Sequence, residues 1–472
     1  MTSGPRRRLD LLADGTVRQQ SPVSGTVVWT VPGRSRRPLR PGSQVQGLPE
    51  QGRDAICAFC SDRCLETPPE KARLLRDPAA SASGNPDPAP GAGATRFSLE
   101  RLPGWQAVRN LTAEQVTARA ADVRRIPNLY EILPWSFWAA NFGGQVPTAA
   151  IERAEAYLAT PAGRAHVLSI LAARARTAGA RPTPPNARGP ATEHAGPLAA
   201  DGLLQRGLPL FAGMHDLIVG RRHFVEGATR SDDLCAAGDL EPSEHHAFIC
   251  LTVDAMRELA SAHPSVRYVS AFQNWLSPAG ATFDHLHKQL VAIDEHGPLL
   301  ARIISTLRVE PDLFNTQVVD PAIGDHLVIA GNDHALALAG VGHRYPTVEL
   351  YSTGPGCPPW EQGHTAVRDM ADLLHACHAA TGRLVSTNEE WHYLPSDVEV
   401  AMPWRIHLKW RVSTLAGFEG GTKINVNTIS PFELRDRMVH ALATLRAQGR
   451  VAELAIGKEC HPGPAPLHYL DR

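Results

Sequence analysis

The chain has 472 residues and a formal net charge of −1, and 43% of its residues are hydrophobic. This length predicts two or three domains, and the composition is typical of a soluble globular protein. The balanced charge gives no indication of a nucleic-acid or membrane partner, and no segment has the roughly 20 uncharged apolar residues that cross a bilayer. The N-terminus lacks the apolar core of a signal peptide, so we expect a cytoplasmic protein.

Three of the eight cysteines cluster near the N-terminus, as Cys57, Cys60 and Cys64. A Cys-x-x-Cys turn can aim two thiolates at one ion and is half of a tetrahedral zinc site. The other ligands must come from elsewhere, and Cys64, His223 and His285 are candidates. A redox Cys-x-x-Cys is the competing interpretation, but no thioredoxin-like β-α-β pattern surrounds this pair. Spacing alone favours structural zinc and leaves its remaining ligands unassigned.

Two segments, 78–95 and 178–199, consist mostly of Pro, Ala, Gly and other small or polar residues. Neither can bury enough apolar surface to offset its conformational entropy, so both are predicted to be loops or linkers. Between them, residues 152–178 are rich in helix formers with apolar residues at helical spacing. We therefore expect a helical insertion bounded by flexible segments.

From about residue 210 the pattern becomes that of alternating strands and helices. In the first half, strands are predicted at 215–220, 266–275 and 286–293, with a helix at 246–263. In the second half, strands are predicted at 326–331, 335–341, 347–353, 404–412 and 423–429, with helices at 364–381 and 431–448. The order predicts the α+β class, with two units of similar size that each have a mainly antiparallel sheet.

The last strand of the first half carries polar residues at alternating positions, His285, His287 and Gln289. Residues two apart in a strand share one face, so these three side chains should line up together. Taken alone, this pattern is equally typical of a strand with one polar face near solvent. The residues before it decide between the two interpretations.

Upstream lie Asn274 and the small-residue run 279–282, Ala-Gly-Ala-Thr, followed after two residues by the His-x-His-x-Gln motif. This arrangement resembles the signature of the galactose-1-phosphate uridylyltransferase branch of the histidine-triad superfamily. That branch also contains ADP-glucose phosphorylases and diadenosine polyphosphate phosphorylases. Thr282 stands where the family has Ser, and Leu276 stands where it has Gly. Several spacings agree at once, which makes the match specific.

The resemblance extends in islands along the chain and implies two histidine-triad-like domains. The implied division is an N-terminal segment at 1–75, a flexible linker at 76–96, a first domain at 97–310 and a second at 311–472. The first domain would include the helical insertion at about 150–177 and the flexible segment 178–200. One departure concerns the second His-rich strand, where Lys409 stands in place of a family histidine, so the second metal site of some relatives is expected to be absent or altered.

The resemblance implies a role for each matching residue. Zn²⁺ would be bound by Cys57, Cys60, His223 and His285. His287 would be the nucleophile, and Gln289 would donate its amide N–H to a phosphate oxygen. Nucleotide and phosphate contacts would come from Arg34, Arg37, Asn128, Asn274, Gly280, Ala281, Thr282 and Glu419.

The expected function is that of a zinc-containing nucleotidylyltransferase with a covalent nucleotidyl-His287 intermediate. Its partners would be a nucleotide sugar or dinucleotide and a phosphate-bearing acceptor, and homodimerisation stays open. A nucleotide phosphorylase of the ADP-glucose or diadenosine polyphosphate type is the alternative enzyme, since it shares every motif found. A zinc- and nucleotide-binding protein without turnover is the alternative of another class.

Overall fold

The computed structural model describes residues 8–32, 45–48, 52–77, 96–143, 145–179, 200–413 and 416–471. Arg34 and Arg37, the predicted phosphate clamps, lie outside these residues, as do most of the predicted flexible segments 76–96 and 178–200. The division into domains stays a prediction. Within the described part of the chain, no helix is both long enough and apolar enough to cross a membrane.

The described strands and helices follow the predicted order closely from residue 210 onward. The strands are β1 (Leu9–Leu11), β2 (Val17–Gln20), β3 (Val27–Thr30), β4 (Ala72–Arg76), β5 (Trp105–Arg109), β6 (Val123–Pro127), β7 (His215–Gly220), β8 (Tyr268–Trp275), β9 (His287–Ile293), β10 (Val328–Gly331), β11 (Ala335–Ala339), β12 (Thr347–Ser352), β13 (Thr387–His392), β14 (Arg405–Trp410), β15 (Ile424–Asn427) and β16 (Ala455–Ile456). The helices are α1 (Ala113–Ala118), α2 (Trp135–Phe142), α3 (Thr148–Leu158), α4 (Pro161–Gly179), α5 (Ala200–Gly207), α6 (Pro209–Ala212), α7 (Pro242–Ala260), α8 (Pro298–Leu307), α9 (Asp320–Gly324), α10 (His364–Thr381), α11 (Gly417–Thr422) and α12 (Pro431–Ala447).

Twelve of the described strands form one sheet, in the order β16-β10-β11-β12-β14-β13-β8-β9-β7-β6-β4-β5. Every neighbouring pair in it is antiparallel. The two halves of the chain meet where β8 pairs with β13, with Asn274 opposite Asn388. The predicted α+β class is confirmed, and the sheets of the two predicted units are continuous with each other.

Helices α7 and α10 cover one face of this sheet. The Lys288 ammonium on β9 lies 5.3 Å from the ring centroid of Phe248 on α7. On β13, Glu389 accepts a hydrogen bond from His378 of α10 (2.7 Å). Since successive residues of a strand point to opposite faces, this places His287 and Gln289 on the face that the two helices leave free.

A second sheet, in the order β1-β2-β3-β15, covers part of that other face beside the second half. Its strand β15 pairs in parallel with β3, joining the two ends of the chain. Gln19 accepts a hydrogen bond from the Gly342 N–H (3.0 Å), and Asn427 donates to the His343 carbonyl (3.1 Å). Gly342 has φ +73°, and a Cβ there would lie 2.0 Å from the Ser21 nitrogen, so this contact requires glycine.

Lys288 and Glu389 form a fully buried ion pair at the junction of the halves. Burial alone would raise the pKa of Glu389, but Lys288 and His378 lower it, so the carboxylate stays charged. Replacing Lys288 by methionine leaves that charge buried without its main partner. We expect a loss of about 3–5 kcal/mol in the free energy of unfolding, measured by urea denaturation.

The control is the double variant Lys288→Met/Glu389→Leu, which removes both charges at once. Apolar replacement of a whole buried pair is often nearly neutral, so the double variant should be markedly more stable than the single one. A double variant as unstable as Lys288→Met would contradict the assignment of the cost to an unpaired carboxylate.

Candidate active site and metal centre

Two cysteines and two histidines meet at one end of the sheet in the first half. Cys57 and Cys60 lie on a turn in which the Cys60 N–H donates to the Cys57 carbonyl (3.0 Å). His223 lies just after β7 and His285 just before β9, and these strands are neighbours. The two Sγ and two Nδ1 atoms all lie within 4.8 Å of one another. Chain segments far apart in sequence thus supply one cluster of four donors.

The distances within this cluster match a tetrahedral zinc site. The Sγ atoms are 3.8 Å apart, and the four distances between Sγ and Nδ1 atoms are 3.5, 3.6, 3.5 and 3.8 Å. Zinc bonds of about 2.3 Å to sulfur and about 2.0–2.1 Å to nitrogen give tetrahedral edges of about 3.8 Å between sulfurs and about 3.6 Å between sulfur and nitrogen. The donor set and its spacing therefore fit zinc.

The hydrogen bond between the two cysteines raises the pKa of the Cys57 thiol and lowers that of Cys60, so one of the two thiolates forms readily without a metal. The neighbouring Cys57 thiol, and after it the rings of His223 and His285, lower the pKa of Cys60 toward the thiolate that binds metals. His285 donates from Nε2 to the Gly220 carbonyl (2.8 Å), which leaves the Nδ1 lone pair directed at the cluster. Such a hydrogen bond behind a histidine ligand fixes both its tautomer and its orientation.

His287 is the first residue of β9 and is 5% exposed. Its Nδ1–H donates to the backbone carbonyl of His285 (2.7 Å), so Nε2 carries the lone pair. Burial lowers the pKa of His287 to about 4, and the Phe59 ring centroid lies 5.2 Å from its ring. The ring is therefore held neutral, in one tautomer, with an unprotonated nitrogen available.

Gln289 is oriented by His215 on the neighbouring strand. The Ile132 backbone N–H donates to His215 Nδ1 (3.2 Å), so the ring proton is on Nε2. His215 Nε2 lies 3.2 Å from Gln289 Oε1 and donates to it. Because the oxygen of the Gln289 amide faces His215, its NH₂ group points away and can donate to a phosphate oxygen.

Asn128 lies beside the same group. Its backbone N–H donates to the His215 carbonyl (2.7 Å), and its Nδ2 is 3.1 Å from His215 Nε2. The Asn128 side-chain oxygen accepts from the Tyr130 N–H (2.9 Å), which holds the turn after β6. The structure thus brings Asn128, predicted as a nucleotide contact, together with Gln289.

The turn between β8 and β9 carries the small residues Gly280, Ala281 and Thr282, which are half-buried or exposed. Leu276 has φ +66°, a backbone conformation that favours glycine and costs roughly 1–3 kcal/mol for other residues. This is the position at which the resemblance expects glycine. Asn274 accepts a hydrogen bond from Asn388 of β13 (2.7 Å), so the turn is anchored to the second half.

The sequence resemblance predicts that Gln289 donates to a phosphoryl group during its transfer; on that prediction, replacing Gln289 by leucine removes one donor and is expected to lower turnover about 100-fold. Zinc content should stay at the wild-type value, since Gln289 is not among the four clustered donors. Steady-state kinetics and metal analysis check this result. Gln106→Leu, on an exposed position of β5, is the matched control and should leave turnover unchanged. Equal activity of both variants would contradict the role of Gln289.

Some predicted residues are not brought to this site by any described contact. Glu419 accepts from the Ala416 N–H (3.1 Å) at the start of its own helix, α11, beside the small sheet. Cys64 lies outside the metal cluster, and its carbonyl accepts from Arg124 (3.1 Å). Lys409 pairs with Glu390 (2.6 Å) on β13. The proposed role of Glu419 as a nucleotide contact stays a prediction, and the roles of Cys64 and Lys409 stay open.

His215 and Asn388 are the residues that the sequence interpretation missed. His215 could have been found, since its strand was predicted and alternation places it on the same face as Leu217 and Val219. These two residues lie opposite Gln289 and His287. No sequence signal marks Asn388, because its importance comes from a strand pairing between the two halves.

No curated protein matches the sequence. Among solved structures, ADP-glucose phosphorylase from Arabidopsis thaliana with bound ADP-glucose has a TM-score of 0.52 at 17% identity, over 90% of this chain and 97% of that chain. A GalT-like protein from Arabidopsis thaliana has a TM-score of 0.48 at 15% identity, over 90% and 98%. A uridylyltransferase has a TM-score of 0.40 at 17% identity, over 49% and 75%.

Identities this low show the fold alone, and the fold is the one that the sequence resemblance predicts. This chain therefore has the fold of an ADP-glucose phosphorylase, one of the kinds of enzyme that the sequence resemblance names. One family matches residues 12–469, which is nearly the whole chain. The chain therefore belongs to the family described as Domain of unknown function (DUF4921).

Proposed function

We propose that this protein is a zinc-containing nucleotidyltransferase that works through a covalent nucleotidyl-His287 intermediate. The observation that supports this most directly is the hydrogen bond from His287 Nδ1 to the His285 carbonyl. It holds Nε2 as the free, unprotonated nitrogen of a buried ring. A neutral imidazole held in one tautomer is the form required for nucleophilic attack on phosphorus.

The reaction divides into two displacements. In the first, the Nε2 lone pair of His287 attacks the α-phosphorus of a nucleoside diphosphate sugar, an N–P bond forms, and the bond to the bridging oxygen breaks. Sugar 1-phosphate leaves with the bonding electrons. In the second, a phosphate oxygen of the acceptor attacks the same phosphorus, the N–P bond breaks, and the neutral imidazole is restored. Gln289 donates to a non-bridging oxygen in both steps.

Zinc would be held by Cys57, Cys60, His223 and His285, whose donor geometry fits it. When bound, the ion supplies rigidity and takes no part in the displacements. His285 is the residue that carries both a metal-facing ring and the carbonyl that accepts from His287. Fixing that ring therefore fixes the orientation of the nucleophile as well.

The acceptor distinguishes the two forms of this proposal. If the acceptor is a sugar phosphate, the protein is a uridylyltransferase-like enzyme. If it is inorganic phosphate, the protein is a nucleotide phosphorylase, the type named for the structural neighbour that holds ADP-glucose. Both forms share the first displacement, so one experiment can test the intermediate and then the acceptor.

The test uses donors labelled at the α-phosphate, namely UDP-glucose, UDP-galactose, ADP-glucose and diadenosine tetraphosphate. Incubation with the full-length protein should leave acid-labile, base-stable label on the chain, as expected for a phosphoramidate. Glucose 1-phosphate, galactose 1-phosphate or inorganic phosphate is then added, and the labelled product identifies the acceptor. If no donor labels the protein, the covalent mechanism is wrong and the interpretation as a binding protein without turnover gains support.

A further inference from the structure

A second cavity lies on the same face of the large sheet, in the second half of the chain. Its volume is about 420 Å³, within the range of small-molecule sites. Strands β12, β13 and β14 form its floor, and the small sheet and α8 contribute to its walls. The residues on its floor include Arg405, His407 and Lys409, which alternate along β14 and so share one face.

Arg405 is 2% exposed, and its Nη1 has no hydrogen-bond partner in the described part of the chain. Its guanidinium lies over the Phe314 ring, 4.6 Å from the centroid, so the group is held in place. The Glu349 carboxylate on the neighbouring strand is engaged elsewhere, by the Tyr351 hydroxyl (2.5 Å) and by His343. A buried cation with an unused donor is costly unless an anion completes its surroundings.

Arg411, just after β14, resembles Arg405 because it also has a guanidinium over an aromatic ring and a buried nitrogen without a hydrogen-bond partner in the described residues. Its buried Nε also lacks a hydrogen-bond partner within the described residues. The guanidinium lies 4.7 Å from the Tyr345 ring centroid and donates from Nη1 to Asn388 (2.5 Å). Lys409, between the two arginines along the chain, also lines the cavity and pairs with Glu390. The cavity therefore offers two unused guanidinium donors, while the carboxylates of its floor, Glu349 and Glu390, are already paired; a third carboxylate, Asp325, lines the cavity from an exposed position.

We propose that this cavity binds a small phosphate monoester, with the phosphate on Arg405 and the body of the molecule extending along β14 toward Arg411. Guanidinium groups match phosphate oxygens in geometry and charge, and each oxygen can accept from a separate N–H. The volume exceeds what inorganic phosphate needs and accommodates a sugar- or nucleoside-sized body. Apolar residues that line the cavity, among them Val23 and Leu299, give such a body an apolar surface.

A divalent cation is the competing occupant, because donor atoms of His343, Glu349 and His407 lie within 4.8 Å of one another. Two observations favour the anion. Both oxygens of Glu349 already accept hydrogen bonds. Moreover, the guanidinium of Arg405 lines the same cavity, and a nearby positive charge in a buried site repels a metal ion.

This cavity lies on the same face of the large sheet as His287, but its floor strand β14 is three positions away from β9. Asn388 on β13 pairs with Lys409 on β14 and, on its other side, with Asn274 on β8. Strand β8 is in turn the neighbour of β9, which carries His287. At about 4.8 Å per strand, Lys409 and His287 are about 14 Å apart, since their strands are three positions apart in the sheet. A phosphate held by Arg405 therefore lies at a different position from the phosphorus that His287 attacks.

The test is isothermal titration calorimetry of the full-length protein with glucose 1-phosphate and with AMP, and separately with MgCl₂ and ZnCl₂ after metal loading. We expect at least one of the two monoesters to bind wild type at the cavity. In Arg405→Met the affinity of the cavity for the monoester should fall at least about 100-fold. The number of monoester molecules bound per chain should therefore be one lower than in the wild type. The ligand-free Arg405→Met protein should melt near the wild-type temperature, because the variant removes a buried Nη1 that has no hydrogen-bond partner among the described residues but also removes a favourable charge beside Glu349.

Unchanged stoichiometry in Arg405→Met for every monoester that binds, or binding of neither monoester to wild type, would overturn the proposal. The proposal would also be overturned if a divalent cation bound at a site other than the Cys₂His₂ cluster and had a higher affinity for Arg405→Met than for the wild type. If Arg405→Met does not fold, Arg411→Gln is titrated in the same way and the same outcomes decide. Labelling at His287 provides a separate readout, so a failure here is distinguishable from a failure of the nucleotidyltransferase proposal.

Discussion

Replacing His287 by alanine is expected to abolish covalent labelling and to lower nucleotidyl transfer at least about 10,000-fold, because it removes the imidazole that is proposed to form the N–P bond. The fold should be retained, since the ring lies at the end of β9 and its Nδ1–H bonds only to the adjacent backbone. Labelling with the α-phosphate donors, followed by single-turnover kinetics, measures both effects. The loss should appear in turnover more than in donor binding.

His440→Ala is the matched control, since His440 lies exposed on α12, on a helix outside the site. It should label and turn over as the wild type does. If His287→Ala carries as much acid-labile label as the wild type, the nucleophile is another residue. If it keeps full transfer without any label, the reaction is a single direct displacement.

Replacing Cys60 by alanine is expected to reduce zinc from about one equivalent per chain to nearly none, since three remaining donors bind the ion far more weakly. Cys60 is 1% exposed and lies within 3.8 Å of three other ligand atoms. Turnover should fall as well, because the metal holds the ring of His285 and with it the carbonyl that orients His287. Metal analysis after dialysis and transfer kinetics measure the two effects.

Cys64→Ala is the control for this variant, because Cys64 belongs to the same short cysteine-rich segment but lies outside the four clustered donors. It should retain zinc and activity. Loss of zinc in Cys64→Ala, or full zinc in Cys60→Ala, would require a different ligand set. Since both variants remove one thiol of the same segment, a difference between them cannot come from general destabilisation there.

The sequence was most informative where chemistry depends on local spacing. The alternation of His285, His287 and Gln289 led to a strand, and the structure has that strand beginning at His287, one residue later than predicted. His285 therefore precedes the strand, and its ring turns toward Cys57 (3.6 Å). The departure at Leu276 was also visible in the sequence, and its positive φ is a backbone conformation that favours the glycine that the resemblance expects there.

The sequence by itself determined the α+β class, most strand and helix positions after residue 210, and the Cys-x-x-Cys half of the metal cluster, while the family resemblance supplied the two histidines. It could do so because side-chain alternation and metal-ligand spacing are local properties of the chain. Only the tertiary structure decided that His215 orients Gln289, that Asn388 anchors the turn after Asn274, and that Arg405 is buried without a partner. Each of these depends on contacts between segments distant in sequence, which strand pairing and packing create and which no local pattern records.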